Sequence, residues 1–476
     1  MKWLLVLLCA MAAALVVVPS AGALTINVTT ANDTYGSSAA GCSLREAITA
    51  AQTDAAFDGC PAGSGADVVS LPNGQYTITR AGAEENSNIT GDFDIVGTGA
   101  LSIQSANDSA RVVVDGNGLD RVFDQQGNSS LSIRSLQVKG GVITQIEDGG
   151  GLRNNVGTMT VEGATVSGNS SAFSGGGIAV YGTLNMVNST LSGNSADGSG
   201  GGLYVTGGSS ATARSSTISA NVADADTLAG GDGGGFRNSA STVTLVNTIV
   251  AGNDDRSTLP GDKAPECESD PNFFPRYVLT TQAMGPAPCL VGFNPGTSKI
   301  VADARIGPLE DNGGQTPTHA LLAGSPAIDA GGTVDPDQCP ASDQAGRNRP
   351  PGSCDIGAVQ FFRPPAVSLK INKIRPNVLR LKRGKKAKSA SVVVSTAGAP
   401  GALNARLCLK PGKTVKKALR FKGKLCRNLG TLVGVKTVKF RIAASRKAKR
   451  KTLRMKAVLS ATGATSRTRL ITVKVR

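Results

Sequence analysis

Thr158–Asn169 reads TMTVEGATVSGN, and three later stretches align with it without a gap: TLNMVNSTLSGN over 183–194, SATARSSTISAN over 210–221 and TVTLVNTIVAGN over 242–253. The closing asparagines, Asn169, Asn194, Asn221 and Asn253, stand 25, 27 and 32 residues apart, a period that marks a chain wound into repeated turns. Ten residues before each Asn stand Met159, Leu184, Ala211 and Val243; eight before stand Val161, Met186, Ala213 and Leu245; three before stand Val166, Leu191, Ile218 and Val250. Residues two apart on a strand share a face, so the first two columns point inward together and the third follows a corner. One copy cannot bury such a face alone, whereas stacked copies set each apolar side chain over its equivalent. A weaker earlier copy, Leu131, Ile133 and Val138 with Gly141 in the Asn place, extends the pattern back. The asparagines are expected in a left-handed backbone conformation with their side chains bonded along the stack. Glycine triplets at 149–151, 175–177, 200–202 and 233–235 are expected to allow tight corners or close approach of adjacent turns. A Gly/Ser-rich disordered tract has no need of aligned apolar columns. Residues 68–255 therefore read as a right-handed parallel β-helix, and the fold class as all-β.

Around this coil the 476 residues divide further. Lys2, the apolar run 4–18 and Ala21-Gly22-Ala23 have the layout of a removable signal peptide, 1–23, too short to span a bilayer. Export and no membrane span are expected. Eight cysteines remain, and in sequence order they suggest four local bridges: Cys42 with Cys60, Cys267 with Cys289, Cys339 with Cys354, and Cys408 with Cys426. None has the CxxC spacing of a zinc site. Charge separates the chain more sharply than composition. Of 50 Lys and Arg, 32 lie between Ala366 and Arg476, a segment without a single Asp or Glu; the other 18 share residues 1–365 with all 34 acidic residues. The net charge of +16 hides a segment at +32 and a remainder at −16.

Residues 24–67 read as a cap on the coil. Ser43 and Glu46 form a capping box for a short helix whose Leu44, Ala47, Ile48 and Ala51 make one apolar face, fit to cover an open end. Asp67 to Ile78 follows as two strands about Pro72-Asn73-Gly74, the expected first turn of the coil.

The run Cys42-Ser43-Leu44-Arg45-Glu46-Ala47-Ile48, then Gly91-Asp92-Phe93-Asp94-Ile95 and Asp120-Arg121-Val122-Phe123, resembles the amino-terminal part of the CSLREA-domain proteins. These are exported bacterial β-helix proteins whose repeats are similar to those of polymorphic outer-membrane proteins and the pectin-lyase-like superfamily. The likeness continues through Asp311-Asn312-Gly313-Gly314, Thr318-His319-Ala320-Leu321, Gly324 to Asp329 and Cys354-Asp355-Ile356-Gly357-Ala358, which look like the choice-of-anchor module (Q type). That module is assigned to 256–363. Two positions depart from the family pattern: Ala345 stands where Arg is usual and Gln360 where Glu is usual. The resemblance covers about residues 24–361 and implies a fold and export, not an activity.

Past Arg363-Pro364-Pro365 the alternating stretches Val367 to Ile371, Ser391 to Val394, Val438 to Ile442, Met455 to Leu459 and Leu470 to Val475 suggest an immunoglobulin-like β-sandwich over 366–476, similar in pattern to adhesion-related modules. Its basic clusters Arg383, Lys385, Lys386 and Lys388, and Arg446, Lys447, Lys449, Arg450 and Lys451 are the candidate polyanion-binding residues, for cell-wall polymer, matrix polysaccharide or extracellular DNA. The bland alternative is that strand alternation merely turns cations to solvent.

Catalysis has poorer candidates. Asp92, Asp94, Asp115, Asp120, Arg121 and Asp124 can cluster on one side of the coil, as a glycan lyase or hydrolase requires, but turn capping also accounts for them. Trp3, the only tryptophan, is expected to leave with the signal, and few tyrosines remain, so a sugar cleft would be poorly furnished with stacking rings. His319, the lone histidine, cannot build a triad or a multi-histidine metal site and reads as structural. Asp329, Asp343 and Asp355 are candidate calcium ligands, with turn capping as the alternative. The expectation is a noncatalytic secreted surface protein of adhesin type; a glycan lyase or hydrolase and a purely structural envelope component are the alternatives.

Overall fold

The computed structural model of the chain describes residues 23–36, 41–82, 85–227, 230–258, 263–281, 294–333, 339–350, 352, 354–361, 368–397, 402–432, 435–461 and 464–476. They fall into two compact units divided between Phe361 and Phe362. The signal-peptide reading, Cys289 and the Arg363-Pro364-Pro365 boundary lie outside these residues.

The amino-terminal unit is a stack of parallel sheets. One nine-stranded sheet runs from Thr25–Asn27 through Asp67–Leu71, Ala100–Ser105, Ser130–Arg134, Thr158–Glu162, Thr183–Val187, Ser210–Arg214 and Thr242–Val246 to Phe273–Arg276. A second of nine strands runs from Gly74–Thr77 to Lys299–Ile300, a third of seven from Phe93–Ile95 to Cys267–Ser269, and a short fourth of five from Val142–Ile143 to Asp254–Asp255. The middle turns, from residue 130 to 255, give one strand to each sheet in constant register, and the outer turns give strands to fewer, consistent with a parallel β-helix. Met159, Leu184, Ala211 and Val243 stand over one another, as do Val161, Met186, Ala213 and Leu245. So do Val166, Leu191, Ile218 and Val250, and all twelve are buried. Burying a side chain the size of Leu191 contributes roughly 1.5–3 kcal/mol, and repetition of that burial holds the stack.

The asparagines also stack. Asn169 Nδ2 donates to Asn194 Oδ1, Asn194 Nδ2 to Asn221 Oδ1 and Asn221 Nδ2 to Asn253 Oδ1, each at 2.9 Å. The ladder starts at the Gly141 amide, which donates to Asn169 Oδ1 at 3.0 Å, and ends at Glu266, whose Oε2 accepts from Asn253 at 2.7 Å. The expected left-handed backbone falls one residue earlier, on Gly168, Gly193, Ala220 and Gly252, with φ of 65°, 67°, 60° and 74°. The preceding residue takes the turn, and the Asn side chain points into the interior. Gly177 shows what the triplets are for: a Cβ there would come within 2.9 Å of Asn194 Nδ2.

Two boundaries are corrected. The first strand is Thr25–Asn27, paired with the strand at 67–71, so the coil begins ahead of the helix Leu44–Thr53. Nor does it stop at 255. Cys267–Ser269, Phe273–Arg276, Leu279–Thr280 and Lys299–Ile300 extend its sheets. The rest of the expected terminal module, 301–361, lies along the coil, because Ala304, Leu321, Ala327, Ile356 and Val359 are too few for a core of their own. They share one with the coil's Ile249, Ala251 and Leu279.

The carboxy-terminal unit has a four-stranded sheet, including Ser368–Arg375, Lys388–Ala397 and Val435–Ala444, and a five-stranded sheet, including Ala402–Lys410, Lys451–Ala461 and Ala464–Val475. The described strands pair antiparallel except Val378–Leu381 with the last strand, and the inward residues form one cluster, which fits a sandwich. Disulfides join Cys42 to Cys60, Cys339 to Cys354 and Cys408 to Cys426; Cys267 is also disulfide-bonded.

Candidate functional site

The outward column of the seven-stranded sheet begins Asp94, Asp124, Arg153 in direct register. Alternation forces this: Phe93 and Ile95, then Phe123 and Gln125, then Leu152 and Asn154 point inward, so the residue between them must face out. Asp92 and the Asp120-Arg121 pair sit just before two of these strands. Arg121 Nη1 donates to Asp92 Oδ2 at 2.9 Å and lies 3.5 Å from Asp124 Oδ2, while Nη2 reaches Glu147 at 3.0 Å. Arg153 Nε donates to Asp124 Oδ1 at 3.0 Å, and its Nη1 reaches the same Glu147 oxygen at 2.8 Å. Five carboxylates thus face two guanidinium groups.

Burial raises the Asp92 carboxyl well above its usual range; Arg121 opposes this, and Asp94, Asp120 and Asp124 add to it. Burial also pushes Asp94 up to about 7, against the amide of Asn88 and with repulsion from Asp124. Asp120 is raised by burial too. A cleft of about 280 Å³ opens here, lined by Asp92, Asp120, Arg121, Glu147 and Arg153 among others. Single oxygens of Asp92, Asp94 and Asp124 lie within 4.8 Å of one another. These are the residues that can hold a cation, although Arg121, Arg153 and the Gln126 amide, 2.8 Å from Asp94 and 3.0 Å from Asp124, already satisfy them. Asp115 stands apart, paired with Lys139 at 3.0 Å.

Beneath the cluster lies Arg45 of the helix 44–53. It is fully buried, pairs with Asp33 at 2.7 Å, donates to the carbonyls of Gly91 and Asp92 at 2.8 and 2.9 Å, and stacks 4.7 Å over the Phe93 ring. The capping box of Ser43 and Glu46 is present. The Cys-Ser-Leu-Arg-Glu-Ala run therefore clamps the helix to the first turns of the coil.

Residues of the segment 301–361 line the second sheet's flank. Thr165, Thr190 and Thr217 form a buried column there that the sequence pattern did not single out. Thr165 Oγ1 donates to the Pro317 carbonyl at 2.7 Å, Thr190 Oγ1 to Gln344 Oε1 at 2.6 Å, and the Ala358 amide donates to Thr217 Oγ1 at 3.1 Å. Gln344 Nε2 donates to the Ala164 carbonyl, Thr165 and Thr316. His319 Nδ1 donates to the Gly307 carbonyl at 2.7 Å, and with the ring neutral Nε2 accepts from Ser192 at 2.9 Å; burial lowers its pKa, against the bond to Gly307, and so favours that neutral form.

Asp329, Asp343 and Asp355 do not form a shared ligand set among the described residues. Asp343 accepts the amides of Arg347 and Gln360, both at 2.7 Å, and Asp355 those of Asp329 and Phe361 at 2.7 and 2.5 Å. Gln360 Oε1 accepts from the Asp355 amide at 3.2 Å and lies 3.5 Å from the buried Arg349. Ala345 borders a polar cleft of about 630 Å³ with Arg134, Glu162 and Asn188.

In the carboxy-terminal unit Arg383, Lys385, Arg446 and Arg450 line one open cleft, joined by Lys382 and Arg476, which sequence clustering missed. Lys386, Lys388, Lys447, Lys449 and Lys451 do not line it, though all are exposed. No known family model and no curated protein matches the chain.

Proposed function

We propose that this is an exported, noncatalytic surface protein of the CSLREA type, in which a right-handed β-helix is displayed and an immunoglobulin-like basic module holds it to anionic polymer. The observation that carries the reading is charge segregation: 32 cations and no carboxylate side chain after residue 365, against a net −16 before it. A field of one sign attracts polyanions and weakens with salt. Disulfides favour an oxidising compartment, and no described helix is long and apolar enough to cross a membrane. Binding of the purified protein to immobilised acidic polysaccharide, wall polymer and DNA should fall steeply with added salt. Retention that ignores ionic strength would overturn the proposal, and the absence of any saturable ligand would favour a purely structural envelope role.

A second reading has one observation in its favour. The carboxylates Asp92, Asp94, Asp120 and Asp124 gather beside a cleft with Arg121 and Arg153, as a glycan lyase or hydrolase would need. New unsaturated or reducing ends on incubation with uronate polymers would establish it.

A further inference from the structure

Two loops and the residue Arg476 meet at one concavity of the carboxy-terminal unit. Residues 382–387 follow the strand Val378–Leu381, and residues 445–450 join Val435–Ala444 to Lys451–Ala461. Neither loop is a free arm. Arg383 makes a parallel bridge with Ala444, and its amide donates to the Arg476 carbonyl at 3.3 Å. The Ser445 amide donates to the Ala418 carbonyl at 2.9 Å, and Ala448 is buried in the unit's core. Arg446 lies across Gly384 so closely that a Cβ there would come 3.0 Å from its Cγ. The cleft so framed has a volume of about 660 Å³ and is walled by Lys382, Arg383, Lys385, Arg446, Arg450 and Arg476. With no Asp or Glu between 366 and 476, no acidic side chain of the unit neutralises them.

Four of the six cations are arginines. Their planar forks match the paired oxygens of phosphate and are less strongly hydrated than ammonium. Residues 366–476 include no Trp or Tyr; Phe440 lies in the core cluster, Phe421 packs against it, and neither lines the cleft, so no ring there offers a nucleobase a stacking face. Recognition therefore falls on a charged backbone. We propose that this cleft, and not the cation-bearing strand faces, is where the protein grips its polymer, and that the polymer is a polyol phosphodiester; this rests on the polyanion reading above.

The test compares the whole protein with two triple variants of equal charge: R383Q/R446Q/R450Q in the cleft, and R406Q/R420Q/R454Q at exposed positions outside it. Binding to poly(glycerol phosphate) is measured across a salt series, at a temperature where all three give the same circular dichroism spectrum. The cleft variant should bind at least about tenfold more weakly, with the salt slope reduced by roughly two to three, and the control less than about threefold more weakly. Equal losses would overturn the cleft while leaving polyanion binding intact. An unaltered protein that shows no salt-sensitive binding would overturn the polyanion reading itself. Polygalacturonate bound as tightly at matched charge, or duplex DNA bound more tightly, would overturn the choice of polyol phosphodiester.

Discussion

Ala220 holds φ at 60° where the other three turns place Gly168, Gly193 and Gly252. A left-handed residue with a Cβ is strained by about 1–2 kcal/mol, partly offset by the freer unfolded chain of a glycine. Ala220→Gly should therefore stabilise the coil by roughly 0.5–1 kcal/mol, and Gly193→Ala, which meets no atom within 4 Å, should cost about 1 kcal/mol, both read from denaturant midpoints. The ladder itself was legible, since an Asn repeated at fixed register must bond to its copies. Its backbone was not: Asn tolerates the left-handed region, but a buried ladder requires the side chain inside, and the preceding residue takes the turn instead. Asp94 carries the pH prediction. Its folded pKa of about 7 lies above the ordinary carboxylate value of roughly 3.9, so the folded state holds the extra proton between the two. Stability is full below pH 4 on this account and is lost as pH rises through 7. Thermal midpoints of the unaltered protein should fall from pH 5 to 7.5, and Asp94→Asn should flatten that slope.

At the scale of elements, the segment 301–361 is the departure from the sequence reading. Its motifs announced themselves, but their partners lie far away in the chain: Gln344 bonds residues 154 and 180 positions distant, and no local periodicity reports that. The threonine column went unremarked for the same reason. Gln344→Ala removes the acceptor of the buried Thr190 hydroxyl and the Nε2 contacts to Ala164, Thr165 and Thr316 and should cost about 1–3 kcal/mol, since it strands that hydroxyl on the coil. Hydrogen exchange should quicken across 301–361 while the Asn ladder stays protected; uniform loss of protection would show that the segment and the coil open together. The helix Leu44–Thr53 and its capping box, in contrast, were legible from Ser43, Glu46 and the helical spacing of Leu44, Ala47 and Ile48. Nothing in the spacing disclosed that Arg45 would be buried against Asp33 and Phe93.

On the whole-molecule scale the two units carry opposite charge and separate cores. Composition alone drew that division near residue 365, because a stretch of 111 residues without a carboxylate side chain is visible at a glance. Calorimetry should resolve two transitions. Added salt should raise the midpoint of the basic unit by screening its self-repulsion and should move that of the coil less; a single transition unmoved by salt would contradict this. The flanking segment bears on size. A stack of equal turns has no inherent reason to stop at any number. The chain that leaves it at Ile300 touches Ser105 through Gln315, Thr165 and Thr190 through Gln344, Thr217 through Ala358 and Asn247 through Gly332. Those attachment points form a gauge: inserting or deleting one 25-residue turn would leave the stack sound yet put every later contact out of step. The protein thus measures its own length, and a change in the number of turns calls for a matching change in the gauge.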